Sequence, residues 1–212
     1  MKITLFGATG LLGRELLSQC LEAEHEVTVL LRTPDKLPAE LRARVNVVQG
    51  DGLDAAAVER ALSRETEAIL FAIGIDARSP ENLCTDVTRH ILAAMRELGI
   101  RRLVWCGGGN TVGDEDVVSL GSKFVALFAR WFMGLRHRDK LQQVALLEES
   151  RYVDWIGIRP LQMRKGGRRG DYRVGFDRYS GFSKITAGDC ANEMIRMLED
   201  DTWIHRAPVI QY

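Results

Sequence analysis

Apolar and polar positions follow each other along the chain in two periods, one of about two residues and one of 3.6 residues. Short, mainly apolar runs predict seven strands: one around Ile3 and Leu5, then residues 26–31, 44–49, 67–73, 102–106, 153–158 and 208–212. Segments with an apolar stripe at helical spacing predict helices over residues 11–23, 54–63, 82–98, 122–135, 138–150 and 186–198. Strands and helices that alternate in this way indicate an α/β domain with a mainly parallel sheet. We expect the run at 208–212 to be an edge strand.

Three glycines connect the first strand to the first helix. Gly7, Gly10 and Gly13 follow Phe6 at a spacing of three residues. Gly7 lets the chain turn sharply, Gly10 leaves room for a pyrophosphate against backbone N–H groups, and Gly13 lets the helix pack closely on the strand. Free N–H groups and the helix dipole favour an anion at this helix start. The pattern predicts a doubly wound Rossmann fold that binds a dinucleotide; the alternative is a tight turn that binds nothing.

The end of the second strand bears on the choice of cofactor. In this fold that position faces the adenine ribose, where an acid accepts from a 2′-hydroxyl and an arginine holds a 2′-phosphate. Arg32 and Lys36 provide two cations here, and we expect the nearby Asp35 to point away. The stretch favours NADPH over NADH, unless both cations are simply solvated surface residues.

Further candidates follow the third and fourth strands. The third strand leads into Gly50-Asp51-Gly52-Leu53. Asp51 fits two roles, a cap for the helix that begins near Asp54 or, as the superfamily resemblance described below implies, an acceptor for the adenine amine. The continuous apolar run at 68–73 suits a central parallel strand covered on both faces, and Gly74 at its end permits close approach of a cofactor.

The substrate side is less regular. Gly107, Gly108 and Gly109 follow the fifth strand and leave space for a flat ring, although a mobile loop has the same composition. The helix predicted at 122–135 is apolar over more than half its circumference. Its aromatic residues suit a core, a lid, a surface for self-association or a membrane interface: Phe124, Phe128, Trp131 and Phe132.

A basic segment follows the sixth strand. Residues 159–178 contain seven arginines or lysines and only two acids, Asp171 and Asp177. This excess would attract an anionic substrate or contact a cofactor phosphate, and it also fits a solvated loop.

Composition narrows the class of protein. With 212 residues, 46% of them apolar and 27% charged, the chain fits one domain, 1–212, whose substrate-side elements come mainly from residues 107–185. Lysine plus arginine equals aspartate plus glutamate, 29 each, so we expect no nucleic-acid partner. The four cysteines show no metal spacing. We see neither a signal peptide nor an apolar run that could span a bilayer, and we expect a cytoplasmic protein.

The motifs together resemble one family almost from end to end. The chain is similar to the atypical short-chain dehydrogenase/reductase superfamily and, within it, to NmrA-like NAD(P)H-binding proteins of the small flavin reductase (biliverdin-IXβ reductase) type. The matching pieces are Gly7-Ala-Thr-Gly-Leu-Leu-Gly13, residues 26–32, Gly50-Asp51, the helix at 82–98, Arg159-Pro160 and Gln211-Tyr212; residues 109–140 match poorly. The resemblance implies that thirteen residues contact NADPH: Gly7, Thr9, Gly10, Leu11, Leu12, Gly13, Arg32, Lys36, Asp51, Gly52, Leu53, Gly74 and Pro160. The predicted cofactor site also includes Ile73, Cys106, Gly107 and Gly108.

The catalytic residues of such families are not recognisable in this chain. The family serine after strand five falls at Gly108, two substrate-flanking histidines fall near Lys140 and Leu161, and no tyrosine has a lysine four residues later. Lys140 is the candidate for a proton donor. Conjugated acceptors need such a donor less, because charge delocalises over the ring and solvent can supply the proton.

The sequence therefore supports two functional hypotheses. The first is an NADPH-dependent oxidoreductase that transfers hydride to a flavin-like, quinone-like or other conjugated small molecule. The alternative is a non-catalytic NADP(H)-binding sensor of NmrA-like type that contacts a protein partner.

Overall fold

A computed structural model describes residues 1–108, 134–176 and 183–212 of the chain. Its strands are β1 Lys2–Phe6, β2 Glu26–Leu31, β3 Asn46–Gln49, β4 Ala68–Phe71, β5 Arg102–Cys106, β6 Asp154–Pro160, β7 Gln162–Arg164, β8 Arg173–Gly175, β9 Lys184–Thr186 and β10 Val209–Gln211. Its α-helices are α1 Leu11–Glu22, α2 Ala39–Arg42, α3 Ala55–Ala61, α4 Leu83–Leu98, α5 Gly134–Glu149 and α6 Ala187–Arg196, and a 3-10 turn covers Pro34–Lys36. None of the described helices is long and apolar enough to cross a membrane.

The main sheet has the strand order β3-β2-β1-β4-β5-β6-β10-β8. All neighbouring strands pair in parallel except β8, which runs antiparallel to β10. The order reverses between β1 and β4, so a crevice opens at their carboxyl ends, where doubly wound folds bind ligands. The predicted doubly wound, mainly parallel sheet is confirmed.

Helices cover both faces of the sheet, which gives the core two halves. Alternate residues of β4 point to opposite halves: Ala68 and Leu70 pack with α1 and α6, whereas Ile69 and Phe71 pack with α3, α4 and α5. All four are essentially inaccessible to solvent. A strand buried on both faces explains the continuous apolar run in the sequence.

The second half of the sheet differs from the expectation for residues 208–212. Strand β10 is not an edge strand, because it lies between β6 and β8. The edge is formed by β8, whose three residues fall in the basic segment and carry too little apolar periodicity to predict a strand. Residues 162–164 and 184–186 pair as a separate two-stranded parallel sheet.

Helix α5 is anchored to α4 by one buried carboxylate. Asn82 precedes α4 in a left-handed conformation and makes no side-chain cap. Instead Asp139 of α5 accepts from the backbone N–H of Cys84 at 2.8 Å and of Thr85 at 2.9 Å. This contact satisfies two free donors of α4 and fixes the position of the next residue, Lys140. The helix predicted at 122–135, with Phe124, Phe128, Trp131 and Phe132, lies outside the described residues apart from its last two positions, which begin α5.

Candidate functional site: a nucleotide cleft

The glycine turn after β1 is built as the motif requires. Gly7 adopts a φ of +92°, and a Cβ there would lie 2.6 Å from the carbonyl oxygen of Ala72. A Cβ on Gly13 would lie 2.0 Å from the carbonyl oxygen of Gly7, so α1 approaches the turn too closely for any side chain. A Cβ on Gly10 would meet only the Gly7 oxygen at 3.3 Å and the Ala72 oxygen at 3.9 Å. Gly10 therefore faces space rather than protein.

The start of α1 is open to the same space. Gly10 occupies its N-cap position without a side-chain hydrogen bond, and the first turn has no acidic residue. The first N–H groups of a helix lack partners within the helix and attract anions. The turn thus offers a glycine with room in front of it and an uncapped helix start at one place.

This space is a cleft of about 600 Å³ at the carboxyl ends of β1, β2, β3 and β4. Nine of the seventeen predicted cofactor residues line it: Gly7, Thr9, Gly10, Arg32, Lys36, Asp51, Gly52, Ile73 and Gly74. A Cβ on Gly74 would meet no described atom within 4 Å, so this position is open as expected. The fold brings together residues from the carboxyl ends of the first four strands; that they contact NADPH stays a prediction.

The end of the cleft at β2 is positively charged. The Arg32 side chain is 70% exposed and its Nη1 lies 4.0 Å from Oδ2 of Asp51. Lys36 is exposed in the 3-10 turn of the same rim. Asp35 is held away by Arg42, whose Nη1 lies 2.5 Å from Oδ1 of Asp35, and it does not line the cleft. The rim therefore presents two cations to a ligand.

Asp51 does not cap the third helix. The cap of α3 is Asp54, whose Oδ1 accepts from the N–H of Ala56 at 3.0 Å. Asp51 instead accepts from the N–H of Leu53 at 3.1 Å within the turn and lines the cleft. The sequence allowed two roles for Asp51, and the structure excludes the role of helix cap.

The loop after β4 contributes residues that sequence reasoning missed. The cleft is also lined by four residues of this loop: Asp76, Arg78, Ser79 and Pro80. Oδ1 of Asp76 accepts from the N–H of Arg78 at 2.8 Å and from Oγ of Ser79 at 3.1 Å, and Oγ of Ser79 accepts from the N–H of Asp76 at 2.9 Å. These bonds hold the loop so that Arg78 stands at the rim. The position of this loop directly after a parallel strand could have predicted its role, because loops at the carboxyl ends of parallel strands line such clefts.

Eight predicted cofactor residues do not line the cleft. Leu11 is 45% exposed at the start of α1, whereas Leu12 is buried in the core. Gly13 is needed for helix packing, and Leu53 packs with the core half that contains α4. Only backbone groups of these residues are suited to contact a phosphate or a base. The other four lie farther along the sheet edge: Cys106, Gly107, Gly108 and Pro160.

The three glycines after β5 predict open space for a flat ring, and the structure agrees with this prediction only in part. A Cβ on Gly107 would lie 2.6 Å from Cζ3 of Trp105, so that glycine makes room for a buried ring. A Cβ on Gly108 would meet no atom of the described residues within 4 Å. Gly109 lies outside the described residues. The position available for a flat ring next to a bound nicotinamide would thus be at Gly108.

Lys140 lies near the carboxyl end of β5, but its ammonium group is hydrogen-bonded to other protein atoms. Its Nζ donates to the carbonyl oxygen of Cys106 at 3.4 Å and to Oε1 of Gln143 at 3.1 Å. Gln143 is itself fixed, since its Nε2 donates to Oγ1 of Thr88 at 2.8 Å. Lys140 therefore ties α5 to the end of β5.

The thiols beside Lys140 differ in character. A hydrogen bond from Cys190, together with the charge of Lys140, lowers the pKa of Cys106. The same hydrogen bond and burial raise the pKa of Cys190, and burial raises the pKa of Cys84. Cys106 is only partly buried, whereas the other two are enclosed. It is the thiol with the more reactive surroundings.

The described tyrosines are committed elsewhere. Tyr152 donates to the carbonyl oxygen of Leu92 at 3.2 Å. Tyr172 donates to Oε2 of Glu193 at 3.0 Å, and burial with the charge of Glu193 raises the pKa of Tyr172 to about 12. Tyr212 donates to the carboxylate of Asp189. Within the described residues, no tyrosine hydroxyl stands at the end of β5 as a proton donor.

Comparisons with known proteins agree with this geometry. Residues 7–201 match the family model described as NAD(P)H-binding. The chain belongs to this NAD(P)H-binding family. The NAD(P)H-binding family that the motifs predict is confirmed by this match, and solved structures of NAD(P)-binding proteins share the Rossmann-type fold.

Individual relatives cover the chain to different extents. An uncharacterized protein of Mycobacterium tuberculosis is 30% identical over 149 residues, 69% of this chain, but the match spans only 17% of that protein. ChuY, an anaerobillin reductase from Escherichia coli O157:H7, superposes with a TM-score of 0.81 at 19% identity, over 100% of this chain and 97% of ChuY. A short-chain dehydrogenase/reductase from Veillonella parvula, solved in complex with NADP, has a TM-score of 0.77 at 19% identity, over 100% of this chain and 94% of its own. At these identities the two structures are evidence for the fold.

Proposed function

We propose that this protein is an NADPH-dependent oxidoreductase that transfers hydride to a flavin-like, quinone-like or other conjugated acceptor. The observation that carries the proposal is the cleft itself. It combines an uncapped helix start behind Gly10 with two cations at the ribose end, and the same sheet edge continues to the open position at Gly108.

The residues present fit NADPH. The N–H groups at the start of α1 would hold the pyrophosphate, with Gly10 leaving it room. Arg32 and Lys36 would hold the 2′-phosphate by charge-assisted hydrogen bonds. Because Asp35 is bound to Arg42, it would not compete for the cations or favour the 2′-hydroxyl of NADH. When bound, NADPH supplies a hydride from its nicotinamide ring.

The acceptor side favours conjugated molecules. Lys140 is tied to Cys106 and Gln143, and no described tyrosine replaces it. A simple carbonyl needs a proton donor beside the growing alkoxide. A flavin or quinone instead spreads the added charge over its rings and takes its proton from water. The chain's contribution would then be positioning at Gly108 and exclusion of water. ChuY, which shares the fold, is described as an anaerobillin reductase, and this supports a reductase function.

The test is turnover. NADPH oxidation should be measured with riboflavin, a simple quinone and a linear tetrapyrrole, and compared with NADH as donor. We expect oxidation that depends on the acceptor and is absent in a Gly10→Val variant. Equal rates with NADH would contradict the NADPH preference.

The second candidate is a non-catalytic NADP(H)-binding sensor. It is favoured by the same absence of an uncommitted proton donor among the described residues. NADPH binding without turnover of any of these acceptors would support the sensor and refute the reductase.

A further inference from the structure

A second cleft lies beyond β6, on the side of the sheet away from the nucleotide cleft. Its volume is about 570 Å³, and its lining consists of two cations, one acid and two aromatic rings: Arg169, Arg173, Asp171, Tyr172 and Tyr212. Tyr212 directly follows β10, which is parallel to β6, so this cleft opens at the same carboxyl edge as the nucleotide cleft. Neither the family match nor the relatives assign it a role.

The charge of this region is unbalanced. Residues 164–173 carry five cations and one acid: Arg164, Lys165, Arg168, Arg169, Arg173 and Asp171. None of these five cations forms an ion pair within the described part of the chain. The other nearby acids are engaged, since Glu193 lies 3.7 Å from Arg196 and Asp189 is enclosed beneath the cleft. The lining itself has two cations and one acid, and Arg164, Lys165 and Arg168 add positive charge to the surrounding segment.

The buried Asp189 gives the cleft a defined shape. Its Oδ1 accepts from the backbone N–H of Arg169 at 2.7 Å and of Gly170 at 2.8 Å. Its Oδ2 accepts from the hydroxyl of Tyr212 at 2.6 Å and from Oγ1 of Thr186 at 2.9 Å. One carboxylate thus fixes both the loop that carries Arg169 and the aromatic ring opposite it.

These bonds set Arg169 in front of an aromatic face. Its guanidinium carbon lies 5.4 Å from the centre of the Tyr212 ring. Arg173 extends from β8, where it pairs with Gln211, the residue before Tyr212. A guanidinium placed on a ring keeps its outer N–H groups free for a planar or tetrahedral anion. Two guanidinium groups in one cleft, of which that of Arg169 lies on a ring, suit a carboxylate or a phosphate.

We propose that this cleft binds the anionic group, a carboxylate or a phosphate, of the molecule that the protein reduces. Gly108 and Tyr212 lie beyond the ends of β5 and β10, which are separated by β6, so strand spacing places them roughly 10–15 Å apart. A conjugated ring at Gly108 with an anionic side chain of moderate length would span this distance. The inference rests on the proposed reductase function.

The test compares two flavins that differ only in a phosphate, riboflavin and FMN. NADPH-dependent reduction is measured for the unmodified protein and for the Arg169→Ala/Arg173→Ala double variant. We expect the unmodified protein to have a lower KM for FMN than for riboflavin. The double variant should lose this preference, with the KM ratio changing by about fivefold to tenfold, and added salt should weaken the preference in the unmodified protein.

Two control variants distinguish anion binding in the cleft from a general effect of the positive charge of the segment. Arg168→Ala removes the same charge from the same loop outside the cleft and should retain the preference for FMN. Asp171→Asn removes the acid from the lining and should increase the preference. A loss in Arg168→Ala as large as in the double variant, or an unmodified protein that does not discriminate between the flavins, would overturn the inference.

A direct binding assay keeps this inference separate from the reductase proposal. If none of the flavin, quinone and tetrapyrrole acceptors is reduced, the reductase proposal fails, and quenching of flavin fluorescence still compares the affinities for FMN and riboflavin. If FMN binds more tightly than riboflavin and the double variant loses this difference, the inference of an anion-binding cleft stands. Equal binding of both flavins would refute it.

Discussion

Gly10 and Gly13 belong to one motif, yet replacing them should have opposite consequences. The backbone of Gly10 has a φ of −74° and a ψ of 174°, which any residue adopts, and a Cβ would meet the Gly7 oxygen at 3.3 Å. Gly10→Val should therefore keep the fold and change stability by less than about 1 kcal/mol. The new methyl groups would instead occupy the space in front of the helix start.

The expected loss of affinity follows from the contacts removed. Charge-assisted hydrogen bonds contribute about 1.5–3 kcal/mol each. Losing two of them at the pyrophosphate would cost at least about 3 kcal/mol, which corresponds to more than a 100-fold weaker Kd for NADPH.

Gly13→Ala is the matched comparison. Its Cβ would lie 2.0 Å from the Gly7 oxygen, a backbone atom that cannot move without shifting β1 or α1. Overpacking of this kind costs about 2 kcal/mol or more, equivalent to a decrease of about 4–8 °C in Tm for a chain of this size. Calorimetric titration with NADPH and thermal unfolding should be run on both variants. A folded Gly10→Val variant that binds NADPH as tightly as the unmodified protein would show that the turn is purely structural.

Four further substitutions or reactions probe the rest of the site. Arg32→Ala should weaken NADPH by about 10-fold or more and NADH little, because only NADPH carries the 2′-phosphate, and titration with both nucleotides checks this. Arg78→Ala should weaken both nucleotides to a similar extent while leaving 2′-AMP, which lacks the 5′-phosphate, unaffected if Arg78 faces the pyrophosphate; a loss confined to NADPH would place it at the 2′-phosphate instead. Cys106 should react with iodoacetamide faster than Cys190 and from a lower pH than an ordinary thiol, since its pKa is lowered, and NADPH should slow the reaction; mass spectrometry of the labelled peptides checks the order. Lys140→Ala should retain most flavin reduction in steady-state assays, whereas a loss of about 100-fold or more at unchanged NADPH affinity would identify a proton donor.

The nucleotide half was predictable because its requirements are local. The turn at position 7 needs a residue that tolerates a positive φ, and the residue at position 13 lies against a backbone carbonyl. Both positions therefore require glycine, and the two glycines occur at a fixed spacing after the first strand, where the sequence reveals them. Arg32 could be placed for the same reason, since it ends the second strand. Arg78 was missed because its position depends on a loop held by Asp76 and Ser79, which has no recurring sequence pattern.

The second half was less predictable because its partners are distant in the chain. Whether residues 209–211 form an edge depends on pairing with Arg173–Gly175, a segment of three residues that shows no strand periodicity. Gly107 illustrates the same limit at the site. Three successive glycines suggested open space, but the side chain that fills the space at Gly107 is that of Trp105, which only the fold brings against it.

Under the two proposals, the two clefts would recognise their ligands by different means, which would determine how many kinds of acceptor the protein reduces. The nucleotide cleft uses backbone N–H groups and glycines, which can hold a pyrophosphate in only one arrangement. The second cleft uses arginine and tyrosine side chains around a fixed carboxylate, Asp189, and such groups accept carboxylates and phosphates alike. If the acceptor lies between Gly108 and this cleft, its charge and length would be selected more strictly than the identity of its ring. A protein of this construction would reduce several conjugated anions at comparable rates, and its cofactor would be the more specific of its two ligands.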